Sequence, residues 1–353
     1  MSQAAAPTIV AIIPLYNGAR FIEQSVRSVL DQTRPPDECL VVDDGSTDAG
    51  PALVADLATR LPVRLLQKSN GGQSSARNHG VAQSTSSLIA FLDQDDAWYP
   101  DHLETLLAPF AARPGDATLG WSYADLDEGD ETGTLLTRQF LRTRPTAHPK
   151  RTVEACLRDD MFVLPSASLI SRTAYEAVGG FDERLIGYED DDFFIRLLDG
   201  GFDNVFIDRP VTLWRIYPHS TSYSPHMGRS RMIYLRKVLQ AYGARPAGAG
   251  GTLARTAIAP RFVKALLGEY ARAGRRHDDA GMEAALDAMR DLLLPHMAGL
   301  AGLALRLMIG ALRMHGFGRI ATQGRFGIAR RLLRMPVDHR AALLQQQADE
   351  PRG

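Results

Sequence analysis

The chain has 353 residues, of which 45% are hydrophobic and 23% charged, a composition that excludes a disordered or fibrous protein. Forty basic residues against 41 acidic ones give a net charge of −1, so no overall field attracts nucleic acid, and we expect no nucleic-acid partner. Two cysteines, Cys39 and Cys156, cannot form a disulfide framework and favour a reducing compartment. Without a secretory signal, or an apolar run near the roughly 20 residues of a spanning helix, the chain is expected to be cytoplasmic and not to cross a membrane.

The first hundred residues alternate between strand-like and helix-like hydrophobic patterns. Predicted strands cover residues 8–13, 39–42, 63–67 and 88–92, and the predicted helices between them cover residues 21–30, 51–60 and 74–83. This alternation is typical of βαβ units and predicts an α/β fold with a mostly parallel, mixed sheet. Ligands of such sheets bind beyond the carboxyl ends of the strands, so the residues after each strand are the first candidates for a site.

The pattern changes after the first four predicted strands. Residues 119–124 and 205–207 resemble strands and residues 191–198 a helix, which indicates the second half of the same domain. A glycine- and alanine-rich stretch then precedes leucine- and arginine-rich helical segments. We therefore predict an α/β domain over residues 1–242 (nucleotide-binding half about 8–112, acceptor half about 113–242), a linker at 243–258 and an all-α region at 259–353.

The first two predicted strands end in residues suited to a nucleotide. The first strand is followed by Pro14, Tyr16 and Asn17, which offer an aromatic face and an amide. The second is followed by Asp43 and Asp44 and then by a turn with helix-capping residues. Capping alone would explain this acidic turn about as well as contact with a ribose or base.

The third strand leads into a turn with Gly71 and Gly72, followed by a helix that carries Arg77. The glycines permit close backbone approach, and the arginine offers a positive fork for a phosphate or a base. The turn is not a P-loop, because the chain lacks the GxxxxGK[ST] pattern.

The fourth strand ends in Asp93-Gln94-Asp95-Asp96. Three carboxylates within four residues repel one another unless a cation lies between them. Oxygen ligands of this kind suit Mg²⁺ or Mn²⁺, held by one or two of these carboxylates together with substrate phosphates. A solvated acidic turn is the alternative interpretation.

A second acidic cluster, Glu189-Asp190-Asp191-Asp192, begins the helix predicted late in the domain. Carboxylates complement the dipole of a helix N-terminus, but four in a row exceed what capping requires. Downstream, His219 is a candidate metal ligand, although a single histidine is more often structural.

In this order and at these spacings, the segments resemble the family 2 glycosyltransferases, which are inverting enzymes with the GT-A fold. The resemblance spans roughly residues 8–222. It rests on PLYNG at 14–18, DDGSTD at 43–48, NGGQSSARNHG at 70–80, FLDQDDAWYPDHLE at 91–104, and GGFDE with YEDDD at 179–192.

The resemblance implies an enzyme that moves a sugar from a nucleotide diphosphate, UDP above all, to a hydroxyl of a glycan or lipid-linked acceptor. Asp190 would be the general base, with Glu189 orienting the acceptor, and Asp191 is the alternative base one residue further on. The expected metal ligands are Asp95, Asp93 and His219. The expected donor-binding residues are Pro14, Tyr16, Asn17, Asp43, Asp44, Gly71, Gly72, Arg77, Asp93 and Gln94.

Other functions remain open at this stage. A metal-dependent nucleotidyltransferase would also use an α/β fold, although it would place a basic glycine loop after the first strand. A non-enzymatic metal- or sugar-binding module is a further alternative. Residues 301–340 carry eight arginines and one acidic residue, Asp338. They would either lie on an anionic membrane or decorate an ordinary helical domain.

Overall fold

The structure is a computed structural model that describes residues 6–217 and 226–314. The chain divides into two compact units. The first comprises Met1–Val153 and Asp160–Met227, and the second comprises Glu154–Asp159 and Gly228–Gly353. The predicted boundary after residue 242 stays a prediction.

The amino-terminal half of the first unit alternates strands and helices as the hydrophobic pattern predicts. Its elements are β1 (Ile9–Leu15), α1 (Ile22–Leu30), β2 (Glu38–Asp43), α2 (Gly50–Ala58), β3 (Arg64–Gln67), α3 (Gln73–Ala82) and β4 (Leu88–Phe91). The strands pair in parallel in the order β3-β2-β1-β4. Every residue of β1 is buried, because the strand lies between two neighbours in the core of the sheet.

The remaining half of the first unit extends the same sheet. Its elements are β5 (Ala97–Trp98), α4 (His102–Ala112), β6 (Leu119–Gly129), β7 (Leu135–Thr137), β8 (Ser168–Ser171), α6 (Arg172–Ala177), α7 (Glu189–Asp199) and β9 (Asp203–Arg215). Helix α5 (Val153–Arg158) lies between β7 and β8 in the chain, and all of it except Val153 belongs to the second unit. The complete order is β3-β2-β1-β4-β8-β6-β9-β5, with β7 on β6. Strand β8 is antiparallel to both β4 and β6, so it joins the halves. The α/β fold with a mostly parallel mixed sheet is confirmed.

The hydrophobic pattern predicts only β6, α7 and β9 of this half, and α4 and β8 illustrate why other elements are missing from it. Helix α4 contains Pro109, which removes a backbone donor and weakens the helical signal. Strand β8 has four residues between a 3₁₀ turn and a helix, too short for an alternation to be visible.

The second unit consists of helices in its described part. Besides α5, they are α8 (His226–Tyr242), α9 (Ala259–Arg275), α10 (Asp279–Ala288) and α11 (Gly299–Arg313), with π-helical turns at Ala254–Ile258 and Met289–Leu293. Asp278 caps α10, since its Oδ1 accepts a hydrogen bond of 2.9 Å from the Gly281 N–H. Among residues 6–217 and 226–314, no helix has both the length and the hydropathy needed to cross a bilayer.

Gly80 allows α3 to lie directly on the sheet. A Cβ at this position would lie 2.6 Å from Ile12 Cγ2 and 3.1 Å from Val42 Cγ2. Both methyl groups belong to β-branched side chains of buried strands, which have little rotamer freedom. The glycine is therefore a packing requirement rather than a helix-breaking residue.

We predict that Gly80→Ala lowers the free energy of unfolding by about 1–2 kcal/mol, because the cost of overpacking exceeds the gain in helix propensity. Urea unfolding followed by tryptophan fluorescence measures this, since Trp98, Trp121 and Trp214 all belong to the first unit. The matched exchange Gly310→Ala, where no atom lies within 4 Å, should leave the fluorescence transition unchanged. An unchanged transition for Gly80→Ala would contradict the prediction.

Candidate active site

A cleft of about 980 Å³ lies at the carboxyl ends of β1, β2 and β4, within the first unit. The sequence-predicted residues that line it are Pro14, Tyr16, Asn17, Asp44, Gly72, Arg77, Asp93, Gln94, Asp95, Glu189, Asp190 and Asp191. Asp43 and Gly71 do not line the cleft, but their hydrogen bonds stabilise its loops. His219 lies outside the described residues. The structure thus brings the strand-end acids and the acids of α7 to one place.

The loop after β1 is held by the side chain of Gln94. Its Oε1 accepts a hydrogen bond from the Tyr16 N–H (2.8 Å), and its Nε2 donates to the Tyr16 carbonyl (3.1 Å). Gly18 makes room for this amide, because a Cβ there would lie 2.3 Å from Gln94 Oε1. Asn17, at φ 50°, accepts a hydrogen bond from the Thr47 N–H. The half-exposed ring of Tyr16 therefore stands at the cleft on a fixed backbone.

The two acids at the end of β2, Asp43 within the strand and Asp44 directly after it, are buried and accept hydrogen bonds from loop residues. Asp43 Oδ1 accepts a hydrogen bond from the Ser46 N–H (2.9 Å). The carboxylate of Asp44 accepts hydrogen bonds from Lys68 Nζ (2.6 Å) and from the backbone N–H groups of Gly71 (3.0 Å) and Gly72 (2.7 Å). Asp44 thus shapes the glycine turn before α3. Donor contact by either aspartate stays a prediction.

Arg77 is a buried cation between two acidic groups. Its guanidinium, 1% exposed, contacts Asp93 Oδ1 through Nη2 (2.5 Å) and Glu189 Oε1 through Nη1 (3.0 Å). The ring of Phe181 lies 5.2 Å from its Cζ. Burial opposes the charge, but Asp93 and Glu189 hold the pKa of Arg77 above its ordinary value. Donor contact by Arg77 stays a prediction, and both of its Nη groups hold carboxylates.

The acids after β4 are crowded. Tyr217 donates a hydrogen bond of 2.8 Å to Asp95 Oδ2, and the Arg215 N–H donates one of 2.9 Å to Asp96 Oδ1. Burial and the charge of Asp93 raise the pKa of Asp95 to about 6. Burial and the charges of Asp95 and Asp93 raise the pKa of Asp96 well above its usual range.

This crowding fits a divalent cation. Asp96 Oδ2 is buried and accepts no hydrogen bond within the described part of the chain, and a cation among these oxygens would favour the charged carboxylates. No three His, Cys, Asp or Glu side chains form a complete metal site among the residues that the structure describes. The residues present therefore supply an incomplete set of hard oxygen ligands, with Asp95 and Asp93 facing the cleft.

The four acids that begin α7 have different partners. Glu189 is ion-paired with Arg77 and accepts a hydrogen bond from Gln73 Nε2. Asp192 is ion-paired with Arg196 at 2.9 Å. Asp191 is 7% exposed, and its Oδ1 accepts a hydrogen bond of 3.4 Å from the Met161 N–H. Ion pairs and packing thus explain part of this acidic cluster.

Asp190 is more exposed to the cleft than Asp191. Its Oδ1 accepts a hydrogen bond of 2.8 Å from the Asp191 N–H. Burial, together with the charges of Glu189 and Asp191, raises the pKa of Asp190 well above its ordinary value. A carboxylate of raised basicity at the wall of a cleft is suited to accept a proton.

Sequence reasoning missed Tyr217. This residue follows β9 and contacts Asp95, two residues before the predicted ligand His219. The rule that directed attention to strand ends would have found it had the end of β9 been recognised. The predicted strand stopped at residue 207, whereas β9 continues to Arg215.

The first unit is an α/β domain with an acidic cleft at the ends of its strands, and comparison with known proteins shows which family its sequence matches. The family model described as Glycosyl transferase family 2 matches residues 10–179. Residues 10–179, just under half of the chain, match this family, and the resemblance inferred from the motifs is confirmed.

Relatives and solved structures agree with this assignment. A chondroitin synthase from Pasteurella multocida (strain Pm70) is 31% identical over 205 residues, which cover 55% of this chain and 19% of that protein. The chain spans less than half the length of the curated relatives that it matches.

Two solved structures share the fold. S. aureus TarS 1–349 in complex with UDP-GlcNAc has a TM-score of 0.62 at 16% identity, covering 90% of each chain. The mannosyltransferase PcManGT from Pyrobaculum calidifontis, in complex with GDP-Man and Mn²⁺, has a TM-score of 0.53 at 18% identity, covering 98% of this chain and 89% of that one. The expected GT-A fold is confirmed.

We predict that Arg77→Met lowers the free energy of unfolding by about 3–5 kcal/mol, because it leaves the buried Glu189 and the half-buried Asp93 without their cation. Urea unfolding followed by tryptophan fluorescence measures the loss. Arg27→Met is the matched control, since its ion pair with Glu23 is about half exposed and should contribute at most about 0.5 kcal/mol. Equal effects of the two variants would show that Arg77 does not stabilise the site.

Proposed function

We propose that the protein is an inverting glycosyltransferase that moves a sugar from a nucleotide-diphosphate donor to an acceptor hydroxyl by a metal-assisted single displacement. One observation carries this proposal. The acids after β4 and the acids of α7 line the same cleft, and Arg77 contacts one member of each group. Acids that bind a cation on one side of the cleft, and a carboxylate that accepts a proton on the other, suit displacement of a diphosphate by a hydroxyl.

The donor would lie over the carboxyl ends of β1, β2 and β4. The Tyr16 ring offers a stacking surface for the base, and the turn at Gly71 and Gly72 permits close backbone approach. We propose a UDP-sugar, supported by the fold shared with a protein solved with UDP-GlcNAc. The direct donor contacts of Pro14, Asn17, Asp43, Asp44, Arg77, Asp93 and Gln94 belong to this proposal.

We propose that Asp95 and Asp93 hold Mn²⁺ or Mg²⁺, with His219 as a further ligand from outside the described residues. The bound metal would neutralise the charge of the departing nucleoside diphosphate. Tyr217 orients the Asp95 carboxylate by donating to its Oδ2, which leaves Oδ1 for other contacts.

We propose that Asp190 takes the proton of the acceptor hydroxyl as this attacks the anomeric carbon on the face opposite the diphosphate. A single displacement inverts that carbon and requires no nucleophilic carboxylate. Glu189 acts as a positioning residue. It begins α7 directly before Asp190, and its carboxylate is bound to Arg77 and Gln73 of α3.

The acceptor is proposed to be a glycan or a lipid-linked hydroxyl in the synthesis of a cell-envelope polysaccharide. We place the protein in the cytoplasm, at the inner face of the membrane, in contact with it through the C-terminal helices. Cys39 and Cys156 are both buried cysteines, which suits a reducing compartment. A screen of nucleotide sugars for release of the nucleoside diphosphate, with and without Mn²⁺, tests the reaction class. Release of the sugar 1-phosphate instead would indicate nucleotidyl transfer, in which the nucleoside monophosphate moves to the acceptor.

The base is tested by Asp190→Asn, which keeps the size of the side chain and removes its proton acceptor. We predict that kcat falls by about 10²- to 10⁴-fold while donor affinity, measured by calorimetry, changes little. Asp191→Asn is the matched control and should be milder, because Asp191 is buried against the Met161 backbone. A collapse confined to Asp191→Asn would move the base by one residue.

The pH dependence of kcat for the wild-type protein should show the titration of the Asp190 carboxyl. A carboxyl with a raised pKa is protonated at low pH and cannot accept a proton there, so kcat should rise with pH through a pKa above that of an ordinary aspartate. The residual activity of Asp190→Asn should lack this step. A profile that is flat down to the ordinary aspartate range would contradict the assignment.

The metal ligand is tested by Asp95→Ala. We predict loss of transfer and of Mn²⁺-dependent donor binding with an unchanged fold, because Asp95 follows the strand rather than lying in the core. Calorimetric donor titrations with and without Mn²⁺ measure the binding, and circular dichroism checks the fold. Asp116→Ala, on the loop before β6, is the control. Metal-dependent binding retained by Asp95→Ala would refute the role of this residue.

A further inference from the structure

Helix α11 presents an apolar face to solvent. Eight large apolar side chains are exposed among the described residues, and four of them lie on this helix or directly after it. They are Leu300 (86% exposed), Leu303 (53%), Leu307 (66%) and Met314 (69%). At 100° per residue these four positions fall within an arc of about 60°. We call these four residues the apolar face of α11.

The packing of α11 within the second unit fixes this orientation. Gly302, Leu305 and Ile309 form the opposite, buried side of the helix. Arg313 is ion-paired with Glu283 and Asp287, and the Tyr270 hydroxyl donates a hydrogen bond of 2.9 Å to the Leu312 carbonyl. The helix therefore cannot rotate to bury its exposed leucines without breaking these contacts.

The charge of the surrounding sequence indicates what covers the face. Residues 299–337 contain no aspartate or glutamate. They contain seven arginines, Arg306, Arg313, Arg319, Arg325, Arg330, Arg331 and Arg334. Arg306 is exposed on α11 itself. An apolar stripe accompanied by arginine, with no acidic residue, is complementary to a bilayer that contains anionic lipids.

We propose that the apolar face of α11 is a docking surface for an anionic lipid bilayer. Leu300, Leu303 and Leu307 would enter the boundary between headgroups and acyl chains, with the helix lying parallel to the membrane plane. Arg306, which is exposed on α11, contributes attraction to anionic headgroups, about fivefold in affinity for an arginine near the surface, whereas Arg313 is already ion-paired. This inference extends the peripheral location proposed above, and it does not require the glycosyl transfer reaction.

Vesicle sedimentation of the full chain tests the proposal without donor, metal or acceptor. The wild-type protein should bind phosphatidylcholine vesicles that contain about one third phosphatidylglycerol. It should bind pure phosphatidylcholine vesicles more weakly, and high salt should weaken its binding to the anionic vesicles. Leu300→Ser, Leu303→Ser and Leu307→Ser combined should reduce the partition coefficient by at least about tenfold. Leu135→Ser with Leu136→Ser is the matched control at exposed leucines of β7 and should bind like the wild type.

A fluorophore at one position distinguishes this surface from general attraction. Leu303→Cys can be labelled selectively because Cys39 and Cys156 are buried. An environment-sensitive dye there should shift to the blue when anionic vesicles are added, whereas the same dye at Leu136→Cys should not shift.

Several outcomes would overturn the proposal. These are absence of vesicle binding by the wild type, wild-type binding by the triple serine variant, and an unshifted dye at position 303. Self-association lost in the triple variant would assign the face to a second copy of the chain, and slow labelling at position 303 without vesicles would assign it to the chain's own residues. Because no arm uses turnover, failure here leaves the transfer reaction to its own tests.

Discussion

The cleft depends on the two ion pairs of the buried Arg77 guanidinium. Asp93 follows β4 and Glu189 begins α7, 96 positions apart in the chain, and each contacts a different Nη atom of this side chain. The planar fork of arginine fixes the two contacts relative to each other, which a single ammonium does not do. The spacing between the acids after β4 and the acids at the start of α7 therefore rests on one rigid group rather than on two loops.

The position of Arg77 is in turn set by the backbone around it. Helix α3 begins after Gly72 at φ 88°, where the carboxylate of Asp44 accepts two backbone N–H groups of the glycine turn. Gly80 lets the same helix approach β1 closely enough to bring its side chains to the strand ends. Two glycines and one buried carboxylate thus determine where the cation stands.

The cleft contains more negative charge than its cations balance. Burial and like charges raise the pKa values of Asp95 and Asp190, which means that both carboxyls are destabilised in their charged forms. A nucleotide diphosphate is itself an anion, so its binding beside Asp93 and Asp95 requires a cation between them. The same excess charge that supports a proposed metal on one side supports a proposed base on the other.

In the second unit the exposed leucines of α11 present a different constraint, in which apolar surface lacks a partner among the described residues.

The sequence by itself determined the order of strands and helices in the first half, the family, and the acidic segments from which the candidate site is built. Hydrophobic period and turn residues are local properties, so β1, α1 and β2 were located to within about two residues. It did not locate α4, which contains a proline, or the four-residue β8. The tertiary structure alone decided which partner each acid has, namely Lys68 for Asp44, Tyr217 for Asp95 and Arg77 for Glu189. These pairs join residues 24, 122 and 112 positions apart. Their contacts depend on the order in which the strands pair in the sheet, and a local sequence pattern does not contain that information.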